Sequence, residues 1–166
     1  MMKPFWSVAL MLVCAPTLVL PQDTHHAAMN ERGDQVMGFS QEKTTHHFRL
    51  FSDGGAIEVT ANDAKDAATR DQIRAHLRHI TRMFGEGNFE APMLVHGRVP
   101  PGVPALERLK AEVAYRYEDL PNGGRVRITI RNLEARSAIH DFLKFQIADH
   151  RTGDTTAIAA EPAGAK

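Results

Sequence analysis

Two stretches of this chain follow one plan: a strand, a turn holding paired glycines, a returning strand and a helix. That duplication restricts the fold more than any other feature. In the first stretch, Thr44–Phe51 reads as a strand, Ser52-Asp53-Gly54-Gly55 as a hairpin turn, and Ala56–Ala61 as the returning strand. Ile57, Val59 and Ala61 alternate with Glu58 and Thr60, the pattern of a half-buried strand. Asn62 or Asp63 is placed to cap a helix with Asp66 in its early turns, and Gly85 and Gly87 end it. In the second stretch, Glu112–Glu118, the turn residues Leu120-Pro121-Asn122-Gly123-Gly124, and Arg125–Ile130 repeat the hairpin. Asn132 then caps a helix over Leu133–Asp149 that buries Ile139, Phe142 and Leu143. Aligning the glycine pairs sets Ile57 and Val59 on Val126 and Ile128. The expectation is an α+β fold: a duplicated ββα-ββα unit, with an antiparallel sheet and two helices packed on one face.

The parts fall into place around that unit. A single domain is expected over residues 41–153, with repeats at 44–86 and 112–149 joined by a linker at 88–110. Within the linker, Val99-Pro100-Pro101-Gly102-Val103-Pro104 reads as extended, since each proline biases its predecessor away from helix, and Ala105–Lys110 reads as a short helical turn. Residues 23–40 lack periodicity and read as an extended, partly disordered lead-in, and 154–166 as a disordered tail. Lys3 followed by the apolar run Phe5–Leu20 marks 1–22 as an export signal, too short and too broken at Pro16 to span a membrane. The expected location is periplasmic or secreted, with no stable membrane insertion once the signal is removed.

Composition narrows the chemistry. Twenty basic and twenty acidic residues cancel, which leaves no electrostatic footprint for nucleic acid. The one cysteine, Cys14, sits in the signal, so the exported chain has no disulfide and no thiolate. Cysteine zinc sites, blue-copper centres and thiol catalysis are thereby excluded. Nine histidines stand against one Trp and two Tyr, and they are grouped, notably as His25-His26, His46-His47 and His76 with His79.

The helix of the first repeat carries the sharpest signal. Ile73, Leu77, Ile80 and Phe84 form an apolar stripe, and His76, His79 and Met83 form a second stripe beside it. On the first strand, His46 and His47 point to opposite faces, and His46 shares the helix-covered face with Phe48 and Leu50. Either one is a candidate to join the helix donors. Met93 and His96, in the segment after the helix turns back, are placed to close the site. Imidazole with thioether suits copper, and Cu(I) in particular, whereas imidazole alone suits Cu(II) or Zn(II). The expected function is extracytoplasmic transition-metal binding, with copper favoured and zinc the second choice, for sequestration or for delivery to a metal-handling partner protein. The competing expectation is a metal-free module that binds a ligand or a protein. An enzyme using His76 or His79 as base beside Glu42 or Asp141 is the weakest reading, because no nucleophile accompanies them. The His-Glu-x-x-His pattern, a phosphate loop and a Gly-x-Ser-x-Gly elbow are all absent.

Several segments together resemble a known family. They are Met29 to Gly33, Met37 to Phe48, Ile73 to Phe84, Val99 to Pro104 and Ala138 to Leu143. They are similar to small exported bacterial proteins of unassigned function, over about residues 29–154. Some members of that family carry the name aspartate carbamoyltransferase. The resemblance implies export and supplies no set of catalytic residues. A carbamoyltransferase would need the Ser-x-Arg-Thr-Arg phosphate loop and two α/β domains, and this chain has neither the motif nor the length.

Overall fold

The computed structural model describes residues 21–160, so the export-signal reading of 1–20 and the last residues of the tail, 161–166, lie outside the described residues. In chain order the elements are α1 (Pro21–Met37), β1 (Thr44–Phe51), β2 (Gly54–Ala61), α2 (Ala67–Gly85), α3 (Glu90–His96), α4 (Val103–Arg108), β3 (Val113–Leu120), β4 (Gly123–Ile130) and α5 (Leu133–His150). The strands form one antiparallel sheet in the order β1-β2-β4-β3. This is the duplicated α+β architecture that the glycine-paired hairpins imply.

The two repeats meet symmetrically. Ile57 faces Val126 across the β2–β4 seam, with Gly55 opposite Ile128 and Val59 opposite Gly124 on either side. The pairings on either side of Ile57 and Val126 exchange with one another about a local two-fold axis at that aligned pair. The paired glycines do more than turn the chain, because they lie inside β2 and β4. A Cβ on Gly123 would stand 2.0 Å from the Val59 carbonyl oxygen, and Gly54 takes a φ of +146° that other residues rarely adopt. Only glycine lets these central strands approach.

Both long helices cover the same sheet face, but crosswise. Helix α2 packs mainly on β3 and β4, whereas α5 packs mainly on β1 and β2. Each repeat's helix therefore covers the other repeat's hairpin. Ile73, Leu77, Ile80 and Phe84 of α2 are buried in the core, as are Ile139, Phe142 and Leu143 of α5. Helix α2 starts at Ala67, later than Asn62 or Asp63 would cap it. Asp66 is the cap, accepting from the Thr69 amide at 3.0 Å, while Asp63 closes a tight turn with Lys65.

Three segments differ from expectation. The lead-in is not extended but helical, as α1. Its surface is polar nearly all round, so no amphipathic stripe announces it. It is held instead by the fully buried Met29 and by Arg32, whose Nε donates to the Val95 carbonyl at 2.9 Å. The linker holds α3 and α4, and its proline-rich run enters α4 at Val103, since proline is tolerated in a helix's first turn. The start of the tail is ordered. Ala159 bridges Phe51 in parallel, with Ser52 donating to Ala159 at 2.8 Å and Ala159 to Leu50 at 2.9 Å. Among the described residues, no helix is long and apolar enough to cross a membrane.

Candidate functional site

Strand alternation separates the adjacent histidines. His46 turns inward with Phe48, while His47 lies on the open sheet face, its Nδ1 2.9 Å from Asp154 Oδ1. On the inner side, β1, β2, α2, α3 and α5 line a cavity of about 70 Å³. Four imidazoles line it, from four different elements: His46 of β1, His76 of α2, His96 of α3 and His150 at the end of α5. The remaining wall is largely apolar, with Ile57, Val59, Leu77 and Phe142 among its residues.

His46, His76 and His96 are thus brought together as the residue pattern suggests. His47, His79, Met83 and Met93 do not line this cavity. His79 is exposed and accepts from Arg82 at 3.2 Å, because three residues beyond His76 its side chain has rotated toward solvent. Met83, seven residues on, is displaced by two turns, about 10 Å along the axis, and packs against the core instead. Met93 is half-buried. Neither Glu42 nor Asp141 lines the cavity, which removes the partners that a base at His76 would need.

His150 is the residue that sequence reasoning passed over. The signal was present: Phe142, Gln146 and His150 recur every four residues on one face of α5, and all three line the cavity. Phe39, following Gly38, packs against two of these imidazoles. Its ring stacks near His46 at 6.2 Å and meets His76 edge-on at 5.6 Å.

Burial governs the electrostatics. It holds the His46 imidazole down to about 4, with a smaller contribution from His47, and His76 down to about 4, helped by His46 and His79. Burial also lowers His150 to about 3, with His46 and His96 adding to the effect. All three rings are neutral at pH 7 and keep a lone pair for a ligand. His46 and His150 lie parallel with centroids 5.6 Å apart, and His150 meets His96 at 5.1 Å. Among the described residues, His46 Nε2 is buried without a hydrogen-bond partner, as is Gln146 Nε2.

His96 is anchored differently. Its Nδ1 is 2.5 Å from Asp149 Oδ2 and its Nε2 is 2.9 Å from Gln146 Oε1. Asp149 also meets His25 of α1 at 3.3 Å and Arg98 at 3.2 Å. Burial pushes the Asp149 carboxyl up, but the His96 and His25 contacts outweigh it and leave it below the usual carboxylate range. With both ring nitrogens engaged, His96 is a fixed wall, and His46 with its two neighbours His76 and His150 forms the adaptable part.

Among the described residues, no three His, Cys, Asp or Glu side chains already stand in a metal-holding arrangement. The chain matches no protein-family model, no curated protein and no solved structure.

Proposed function

We propose that this chain is a transition-metal-binding protein whose site is the imidazole cavity, with His46 as the central donor flanked by His76 and His150. The observation that carries the reading is the buried Nε2 of His46, without a partner among the described residues, in a cavity where burial keeps His46, His76 and His150 neutral. An orphaned buried polar nitrogen is costly unless something meets it. A volume near 70 Å³ accommodates an ion with one or two waters and falls well below the several hundred Å³ of organic-cofactor pockets. With no thioether lining the cavity, the donor set is all nitrogen. That favours Cu(II), then Zn(II), over the Cu(I) that methionine would have drawn. The parallel His46 and His150 rings must turn for both to reach one ion, so binding is coupled to a local side-chain rearrangement. Holding and releasing an ion by ligand exchange fits sequestration or delivery outside the cytoplasm and requires no chemical turnover.

Titration of the full chain with Cu(II) and with Zn(II), followed by nitrogen hyperfine structure in the Cu(II) EPR spectrum, tests the reading. One ion per chain is expected, lost in His46→Phe and His150→Phe and kept in His47→Ala and His79→Ala. Binding that survives His46→Phe and disappears in His25→Ala/His26→Ala would refute it. The apolar wall supports a second reading, a small uncharged ligand that takes a hydrogen bond at His46. Thermal stabilisation of the metal-free chain by imidazole-sized aromatics, with no response to either metal, would favour that reading.

A further inference from the structure

We propose that two copies of this chain pair through the outer edges of their β3 strands, antiparallel about a two-fold axis at Tyr117, to form one continuous eight-stranded sheet. The two edges of the sheet are treated differently. The β1 edge is occupied by the chain's own tail: Ala159 bridges Phe51, and the Asp154 carboxylate accepts from the Phe48 amide at 3.0 Å. Among the described residues, no strand pairs with β3 on the side away from β4. This edge is eight residues long and contains no proline, and such edges pair with other chains unless something blunts them.

The side chains define the occupant. On the open face of the sheet, the cross-strand row His47, Glu58, Arg125, Glu118 alternates in charge through basic and acidic groups. Arg125 meets Glu58 at 2.7 Å and Glu118 at 3.3 Å. In the next row Arg116 lies directly opposite Arg127, whose own charge is taken up by Asp53. Arg116 is 54 % exposed and is turned along its own strand to Glu118, at 2.7 Å. Antiparallel pairing about Tyr117 sets Arg116 opposite Glu118 of the second copy and Glu118 opposite the second copy's Arg116. Each Arg116 then gains a cross-strand acid from the second copy, and the alternating row continues across the junction. A segment that places its own acid and base one residue either side of a centre is complementary to itself in that register, which is the requirement for a two-fold interface.

Sedimentation and light scattering of the full chain over a concentration series are expected to show a monomer–dimer equilibrium that weakens with salt. Arg116→Glu brings acid against acid at both symmetric positions. The dimer dissociation constant should rise at least about tenfold, with the melting temperature of the dilute protein little changed, since the exposed Arg116–Glu118 pair contributes little to the monomer. A register test stands beside it. In a Cys14→Ser background, Tyr117→Cys puts identical residues face to face on the axis and should form an intermolecular disulfide under mild oxidation. Ala114→Cys sets them about 20 Å apart along the strands and should not. A wild-type chain that stays monomeric up to about 1 mM overturns the proposal. So does an unchanged dimer in Arg116→Glu, or equal crosslinking at 114 and 117.

Discussion

Replacing His46 by phenylalanine should flatten the acid limb of the stability profile. The ring sits among Phe39, Phe48 and His150, so a benzene ring of similar shape keeps the packing and removes the titration. Burial lowers the imidazole from its usual 6.5 to about 4, so the folded state resists a proton that the unfolded state accepts. Stability from the neutral ring is therefore complete above 6.5 and is lost as pH falls from 6.5 toward 4. That gap corresponds to about 3 kcal/mol once both states have titrated, and about 2 kcal/mol is spent between pH 7 and pH 4.5. For a domain stable by about 5–15 kcal/mol, this is a large share. Urea unfolding followed by far-UV circular dichroism, at pH 7 and at pH 4.5, reads it directly. The loss between the two pH values should be about 2 kcal/mol smaller in His46→Phe than in the wild type. Comparing losses cancels whatever the substitution does at neutral pH. Equal losses in the two proteins would mean that the ring takes its proton without strain, and the electrostatic argument for the cavity would fail.

Other perturbations have distinct signatures. Gly102→Ala should cost about 3 kcal/mol in urea unfolding, since φ is +83° there and the added Cβ would lie 2.0 Å from the Ala138 carbonyl oxygen. Arg127→Ala should cost about 3 kcal/mol, because the nearly buried guanidinium binds Asp53 at 2.5 Å and the Gly55 carbonyl at 3.1 Å, and its loss strands the carboxylate. Asp154→Ala should release the tail without disturbing the cavity. Limited proteolysis beyond Thr152 would then accelerate while Cu(II) stoichiometry stays the same, since Asp154 ties the tail to Phe48, His47 and Arg49. In the wild type the same release should appear in acid, because hydrogen bonds and His47 outweigh burial and hold the Asp154 carboxyl below its usual range. Its contribution is complete above that range and is lost as pH falls below it, through the lowered value of the folded state.

What the residues disclosed in advance depended on periodicity. The alternation of Ile57 and Val59, the glycine pairs and the cap at Asn132 fix both hairpins and α5 to within a residue or two. The inward turn of His46 follows from the same period-two rule. Helix α1 escaped because its contacts are made by single residues, Met29 and Arg32, and not by a stripe. His79 and Met83 were overvalued because a shared helical face is not a shared point: three residues change the angle and seven change the height. His150 was undervalued because its place beside His46 depends on α5 crossing to the first hairpin, a tertiary fact that neither repeat contains by itself.

That crossing binds the two halves of the chain into mutual dependence. A first repeat expressed alone would leave β1 and β2 without the helix that covers them and α2 without most of its bed, and the second repeat would be left equally bare. A cut in the connecting segment near Arg98 should therefore yield two fragments that are each unstructured in isolation and regain the whole on mixing. The imidazole chamber, which draws its walls from both fragments, would assemble only at the last step and so would report that folding had finished.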